Sequence, residues 1–173
     1  MTAPCFVDAN VFIYARDPRD PAKQRRAKEW RDHLWRDGSG RTSIQALSES
    51  YAKLRRLGGA APEEIWESVE RFLAWKPRAV DEAVLQLARR IEHRYRISWW
   101  DSLIVAAAQL QECKILLTED LQDGMDFGGV KVCSPFTLEV REAAATYAVA
   151  PRLPSPHRPR GRPRRVQQSR LTP

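Results

Sequence analysis

The chain has 173 residues, 43% of them hydrophobic, which is enough for one ordinary domain with a buried core. A domain of this size needs no disulfides, and its three cysteines form no CxxC pair and lie within apolar runs, which fits a reducing compartment. The N-terminus lacks a secretory signal pattern, and the longest uncharged apolar run, residues 103–108, is too short for a membrane span, so we expect a soluble, cytoplasmic protein with no membrane contact.

The net charge of +7 is not spread evenly along the chain. Every acidic residue lies at or before Glu142, whereas the stretch from Pro151 to the end contains seven arginines and no acid. The excess positive charge therefore belongs to this segment. Because it has almost no apolar residues to bury, we expect residues 146–173 to form a disordered basic tail behind a domain of residues 1–145.

The first predicted elements are a short strand at residues 5–7, which ends at Asp8, and a short helix through Tyr14. Four amphipathic helices follow, each with apolar residues at helical spacing. They begin at Pro21, at Thr42 or Ser43, at Pro62 and at Asp81. Residues 41–43 are a candidate for a further short strand.

After Asp101, residues 102–110 are apolar nearly all round, which predicts a buried helix. Two more strands are predicted at residues 114–118, again followed by acids, and at residues 130–132. Strands that are separated by helices of ten or more residues pair in parallel and carry helices on both faces of their sheet. The sequence therefore predicts an α/β fold, a three-layer α/β/α domain around a central, mostly parallel sheet.

Three acidic residues are predicted to meet at one edge of this sheet. Asp8 and Asp120 follow two of the strands, and ligands bind beyond the carboxyl ends of parallel strands. Asp101 stands at the start of the buried helix, whose N-terminus would reach the same edge. Neighbouring carboxylates raise one another's pKa, and a divalent cation relieves their repulsion. Ligands that are all oxygen favour a hard ion, Mg²⁺ or Mn²⁺.

From spacing alone, a plainer interpretation stays open for these acids. The chain contains 22 acidic residues, so any three of them could instead cap helices. Glu49 lies opposite the apolar face of its helix, and this pattern alone predicts that it faces solvent.

Of the adjacent Trp99 and Trp100, one is expected to pack into the core.

Four short segments contain the acids of interest. They are FVDANVFIYA at residues 6–15, SIQALSESY at 43–51, SWWDSLIVAAA at 98–108 and ILLTEDLQDG at 115–124. In order and spacing they resemble the four motifs of PIN-domain ribonucleases of the VapC toxin type. With a closing segment at residues 129–136, the resemblance spans about residues 4–140.

This resemblance implies a metal cluster in which Glu49 points into the cleft rather than to solvent. The implied ligands of Mg²⁺ or Mn²⁺ are Asp8, Glu49, Asp101 and Asp120. Neighbouring polar residues would support these carboxylates by hydrogen bonds, and Glu119 could share the ligand role. The supporting residues are Asn10, Ser102, Thr118 and Glu119.

The activity implied by the resemblance is endonucleolytic hydrolysis of RNA, which leaves a 5′-phosphate and a 3′-hydroxyl. A metal ion can generate hydroxide from water and neutralise charge on a phosphate under attack. A VapB-type antitoxin and a second copy of the chain are the implied protein partners. Whichever of Trp99 and Trp100 stays outside the core is a candidate for stacking on an RNA base.

Two alternatives stay open beside this interpretation. A dehalogenase-like phosphatase also has an aspartate after its first strand, but its usual second acid is Asn10 here. A nucleic-acid-binding module without catalysis would rely on the basic tail. Residues 158–165 resemble an AT-hook, a short motif for the minor groove of A·T-rich DNA, and could equally be a generic basic extension. The DNA contacts of an AT-hook would be Arg160, Arg162 and Arg164.

Overall fold

Parallel strands form the centre of the molecule. A computed structural model describes residues 3–137, and within them four short strands form a parallel sheet in the order β2-β1-β3-β4. The strands are β1 (Cys5–Val7), β2 (Gly40–Arg41), β3 (Ile115–Leu117) and β4 (Lys131–Cys133). The strands expected from the apolar runs are thus confirmed, and the candidate strand near Arg41 is the two-residue β2.

Seven helical segments surround this sheet in the part of the chain that the structure describes. The α-helices are α1 (Ala9–Tyr14), α2 (Pro21–Asp37), α3 (Ile44–Leu57), α4 (Pro62–Glu70), α5 (Glu82–Tyr95) and α6 (Trp99–Leu110), and a 3₁₀ helix covers Arg71–Trp75. Local chemistry fixes many of the boundaries. Asp20 caps the start of α2 by accepting a hydrogen bond from the Lys23 amide, and Gly38 ends the same helix at a φ of 63°, in the left-handed region.

Side chains alternate between the two faces of the sheet, as the pleat of a strand requires. Phe6 and Leu116 belong to a core that α5 and α6 cover. Val7 and Leu117 belong to a second core that contains residues of α1, α2 and α4. Buried residues of α3 contribute to both cores. These two cores confirm the three-layer α/β/α architecture.

The buried helix α6 begins earlier than the sequence pattern indicated. We expected residues 102–110, whereas the structure has Trp99–Leu110. The reason is that the Ser98 side chain accepts a hydrogen bond from the Asp101 amide and so caps the helix one turn sooner. Asp101 therefore lies in the first turn of α6 instead of ahead of it.

The remaining expectations concern the predicted tail and membrane-spanning helices. The predicted tail at residues 146–173 and its Arg160, Arg162 and Arg164 lie outside the described residues, as does the predicted boundary after residue 145. Among residues 3–137, none of the helices is both long enough and apolar enough to cross a bilayer.

Gly40 in β2 yields a prediction about packing. A Cβ atom at this position would lie 2.7 Å from ring atoms of Trp75, so glycine allows the indole to pack directly on the strand. We expect Gly40→Ala to lower the free energy of unfolding by about 1–3 kcal/mol, the usual cost of overpacking, as measured by chemical denaturation. The cost should shrink when Trp75 is also changed to Leu, and an equal cost in both backgrounds would contradict this packing argument.

Candidate metal centre at the edge of the sheet

The register of β1 and β3 brings together the polar segments that follow these two strands. Val7 pairs with Leu117, and the Asp8 amide donates a hydrogen bond of 3.1 Å to the Leu117 carbonyl. Asp8 and Thr118 therefore leave the sheet side by side. Asp8 also caps α1, because its Oδ1 accepts a hydrogen bond of 2.7 Å from the Ala9 amide. Its side chain is almost completely buried, with 6% of the residue exposed.

Thr118 is the hub of a hydrogen-bonded network at this edge. Its hydroxyl donates to Asp8 Oδ2 at 2.7 Å and accepts from Asn10 Nδ2 at 3.0 Å. The same oxygen accepts from the Asp120 amide at 3.1 Å, and Asn10 Nδ2 also approaches Asp120 Oδ2 at 3.3 Å. The predicted support of Asp8 and Asp120 by Asn10 and Thr118 thus has a physical basis in these contacts.

The amide oxygen of Asn10 lacks a hydrogen-bond partner within residues 3–137. Asn10 Oδ1 is buried and makes no hydrogen bond with any residue that the structure describes. A buried polar atom without a partner costs free energy, and such atoms often mark the place of a water molecule or an ion. The oxygens of Asp8, Asn10 and Asp120 form a hard donor set, which fits Mg²⁺ or Mn²⁺ rather than a soft metal.

Glu49 reaches this edge from α3. It is exposed, as its position on the helix predicts, and its Oε1 accepts a hydrogen bond of 3.0 Å from Gln45 Nε2. The same amide of Gln45 donates to the Trp100 carbonyl at 3.3 Å, so it links α3 to the first turn of α6. Exposure and proximity to the site are therefore compatible for Glu49.

Asp101 is occupied by the cap of its own helix. Its Oδ2 accepts a hydrogen bond of 2.6 Å from the Ser98 hydroxyl, whose oxygen in turn accepts from the Asp101 amide. Ser102 is buried, and its hydroxyl donates to the Ser98 carbonyl at 2.8 Å. Both residues are therefore held within α6, and within residues 3–137 no hydrogen bond joins either side chain to the network around Thr118.

Glu119 is paired with a lysine rather than with the carboxylates. Its Oε2 lies 2.6 Å from Lys23 Nζ, and this contact raises the pKa of Lys23. The expectation that Glu119 supports or shares the metal site therefore has no direct contact behind it.

Trp99 is partly buried against the core around α6, as expected for one of the two tryptophans, whereas Trp100 is 64% exposed.

The electrostatics of the site centre on Asp8. Burial raises the pKa of its carboxyl from 3.8 to about 7, and the negative charges of Asp120 and Glu49 add to this rise. Hydrogen bonds from Thr118 and the Ala9 amide act in the opposite direction. Within residues 3–137, no three aspartate, glutamate, histidine or cysteine side chains converge as a ready-made metal site. The structure thus brings Asp8 and Asp120 together and leaves Glu49 and Asp101 bonded to neighbours.

Three contributors to this site were not predicted. The spacing of Ser98 and Asp101 matches a capping box, so a local signal for Ser98 was present in the sequence. Gln45 and Glu49 are four residues apart on one helix, which is another local signal. Lys23 has no such signal, because its partner Glu119 is 96 residues away in the chain.

Comparison with known families decides how the fold is classified. The family model described as PIN domain matches residues 5–122, which include all four predicted ligands. The chain belongs to the PIN domain family. This match favours the PIN interpretation over the dehalogenase-like alternative, which rested on the position of Asp8 alone.

Two solved structures resemble this PIN domain. The Mycobacterium tuberculosis toxin VapC20, which cleaves the sarcin-ricin loop, is 20% identical at a TM-score of 0.50, over 65% of this chain and 86% of that one. A structure of FitAB bound to an IR36 DNA fragment is 22% identical at a TM-score of 0.57, over 78% of this chain and 97% of that one. At these identities the likeness shows a shared fold. The comparison with curated proteins finds no match.

The raised pKa of Asp8 predicts a pH dependence of stability in the metal-free PIN domain. The folded state holds its proton up to about pH 7, whereas the unfolded chain releases it near pH 4, so folding is favoured below this window and loses stability as the pH rises through it. Asp8→Asn removes this penalty. Relative to wild type, the variant should therefore gain up to about 4 kcal/mol between about pH 4 and pH 8, since one pKa unit corresponds to about 1.4 kcal/mol.

Urea denaturation in the presence of a chelator, repeated across this pH range, measures the effect. Asp32→Asn, which changes an exposed carboxylate on α2, is the matched control and should give a nearly constant difference from wild type. A constant difference for Asp8→Asn as well would mean that Asp8 titrates normally in the folded chain.

Proposed function

We propose that this PIN domain is a divalent-metal-dependent endoribonuclease that acts as the toxin of a VapBC-type toxin–antitoxin pair. The observation that carries the proposal is the hydrogen-bonded network in which buried Asp8, Asn10 and Thr118 meet the exposed Asp120, and in which the Asn10 amide oxygen has no partner among residues 3–137. Membership of the PIN domain family supports a hydrolytic role for these residues. Metal-dependent cleavage, as opposed to binding without turnover, separates this proposal from a non-catalytic nucleic-acid-binding module.

The proposed ligands of one or two Mg²⁺ or Mn²⁺ ions are Asp8, Glu49, Asp101 and Asp120. When bound, such an ion lowers the pKa of water for attack on a phosphodiester and offsets the negative charge that develops on the phosphate. The negative charges near Asp8 disfavour its ionised form, and a divalent cation would compensate for them. Asp101 would exchange the hydrogen bond of the Ser98 hydroxyl for the metal, while the Asp101 amide can continue to bond with Ser98.

The other residues of the site have positioning or binding roles in this proposal. Thr118 and Asn10 hold Asp8 and Asp120 at fixed separations through direct hydrogen bonds. Trp100 presents an exposed indole one residue before Asp101, where an RNA base could stack on it. The products would carry a 5′-phosphate and a 3′-hydroxyl.

The proposed partners are an RNA substrate, a VapB-type antitoxin and a second copy of this chain, all within the cytoplasm. Two solved structures that share this fold support the proposal: VapC20 is a toxin that cleaves the sarcin-ricin loop, and FitAB is bound to DNA. For the basic tail we propose a contact with nucleic acid through Arg160, Arg162 and Arg164, in which the positive charges attract phosphates.

Changing the proposed ligands tests the catalytic claim. Asp8→Asn, Asp101→Asn and Glu49→Gln each remove one negative charge from the metal cluster, so each should reduce RNA cleavage by more than the roughly 10- to 100-fold typical of supporting residues. Cleavage should also stop in EDTA and return with Mg²⁺ or Mn²⁺. A time course of RNA cleavage with purified protein measures both effects.

Glu67→Gln is the matched control for Glu49→Gln, because Glu67 is an exposed glutamate in the middle of the neighbouring helix α4. It should cleave at the wild-type rate. A fully active Glu49→Gln protein would remove Glu49 from the cluster, and activity restored by Zn²⁺ alone would contradict the proposed oxygen site.

Removing residues 151–173 tests the proposed role of the tail. The metal centre should be unaffected, but nucleic-acid binding should weaken and depend less on salt. Each lost phosphate contact should reduce the logarithmic salt slope by roughly 0.7 to 0.9. Titration of full-length and truncated protein against RNA, A·T-rich duplex and G·C-rich duplex measures this. Identical affinities and slopes would refute a binding role, and a tail that binds both duplexes equally would refute the AT-hook.

A further inference from the structure

An ion pair beside the candidate metal centre connects two helices to the loop after β3. Lys23 Nζ lies 2.6 Å from Glu119 Oε2, and both side chains are largely shielded, with exposures of 32% and 27%. The same ammonium donates a hydrogen bond of 3.2 Å to the Tyr14 hydroxyl. Because Lys23 is in the first turn of α2 and Tyr14 is the last residue of α1, the ammonium joins these elements at the position of Glu119.

Two aromatic rings, Tyr14 and Phe136, surround this ammonium, and we call them the aromatic frame. Nζ lies 4.4 Å from the ring centroid of Tyr14 and 4.7 Å from that of Phe136. The two rings meet edge to face, with centroids 5.1 Å apart. A hydrogen bond of 3.0 Å from Trp30 Nε1 to the Pro135 carbonyl fastens the segment of Phe136 to α2.

The aromatic frame distinguishes this ion pair from an ordinary surface pair. Exposed pairs contribute little, since two flexible side chains must be ordered and water screens their charges. Here the ring faces attract the cation and restrict it before it meets its partner. Lys23 is therefore a fixed point of attachment for Glu119.

The position of Glu119 in the chain makes this attachment relevant to the metal centre. Its two neighbours, Thr118 and Asp120, both belong to the hydrogen-bonded network around Asp8. Fixing Glu119 therefore restrains the backbone on which Asp120 is carried.

We propose that Lys23 is a positioning residue for the metal centre. From its place in the aromatic frame, Lys23 binds Glu119, keeps that carboxylate out of the cluster and fixes the neighbouring Asp120 in place. The inference rests on the proposed binding of a divalent ion at this centre. It concerns a residue of α2 that lies outside the four PIN motifs.

Calorimetric titration of Mn²⁺ into the full-length, metal-free protein tests this role without relying on catalysis. Lys23→Met keeps the length of the side chain but removes its charge, so Mn²⁺ affinity should fall by about 10-fold or more, as for other residues that orient metal ligands. Lys23→Arg keeps a cation within the aromatic frame and should retain most of the affinity. Lys28→Met, at an exposed position of the same helix, should bind Mn²⁺ as wild type does.

A double variant tests whether Lys23 acts through Glu119. If it does, the protein with both Lys23→Met and Glu119→Gln should lose no more Mn²⁺ affinity than Lys23→Met alone, because each change breaks the same ion pair. Thermal unfolding in a chelator checks that each protein is folded. Should Lys23→Met fail this check, Glu119→Gln alone carries the test and should also weaken Mn²⁺ binding.

The outcomes separate this inference from the proposed function. Equal Mn²⁺ affinities for folded Lys23→Met and Lys28→Met would overturn the positioning role and leave the metal centre intact. Losses that add in the double variant would overturn the route through Glu119. A wild-type protein that binds no Mn²⁺ would overturn the metal centre and this inference with it.

Discussion

The parallel pairing of β1 with β3 is the constraint on which the rest of the site depends. Because Val7 and Leu117 are in register, the next residue of each strand, Asp8 and Thr118, leaves the sheet at the same place. The short hydrogen bond from Thr118 to Asp8 is possible only in this register, and Asn10 and Asp120 are bound to the same threonine hydroxyl. A slip of one residue would turn the strand side chains to the opposite face and separate these partners.

The groups at this edge lower the stability of the metal-free chain. Burial raises the pKa of Asp8, and the negative charges of Asp120 and Glu49 raise it further, so the ionised carboxylate is unfavourable in the metal-free chain. The Asn10 amide oxygen, which has no partner in the described part of the chain, adds to this cost. Strained or unsatisfied groups of this kind are retained where a ligand compensates for them. The two cores on either side of the sheet supply the stability that tolerates such a site.

Much of this arrangement was predictable because it depends on local patterns. Apolar runs that end in acids marked β1 and β3, and parallel pairing then placed Asp8 and Asp120 at one edge. Helical periodicity correctly put Glu49 on an exposed face, but its link through Gln45 to the Trp100 carbonyl depends on how α3 and α6 pack, which no local pattern encodes. The early start of α6 was missed because the capping role of Ser98 was overlooked, although the spacing to Asp101 signalled it. Long-range partners such as Lys23 and Glu119 became visible only in three dimensions.

In the proposed metal centre, the network around Thr118 would form one wall of a site for a divalent cation. The most direct measurement is a crystal structure of the full-length protein grown with Mn²⁺, in which anomalous scattering locates the ion independently of any assumed ligands. We expect an anomalous peak within bonding distance of the carboxylates of Asp8 and Asp120, with Asn10 and Thr118 still hydrogen-bonded beside them. A peak bound elsewhere, or an edge of the sheet without manganese at millimolar concentration, would contradict it.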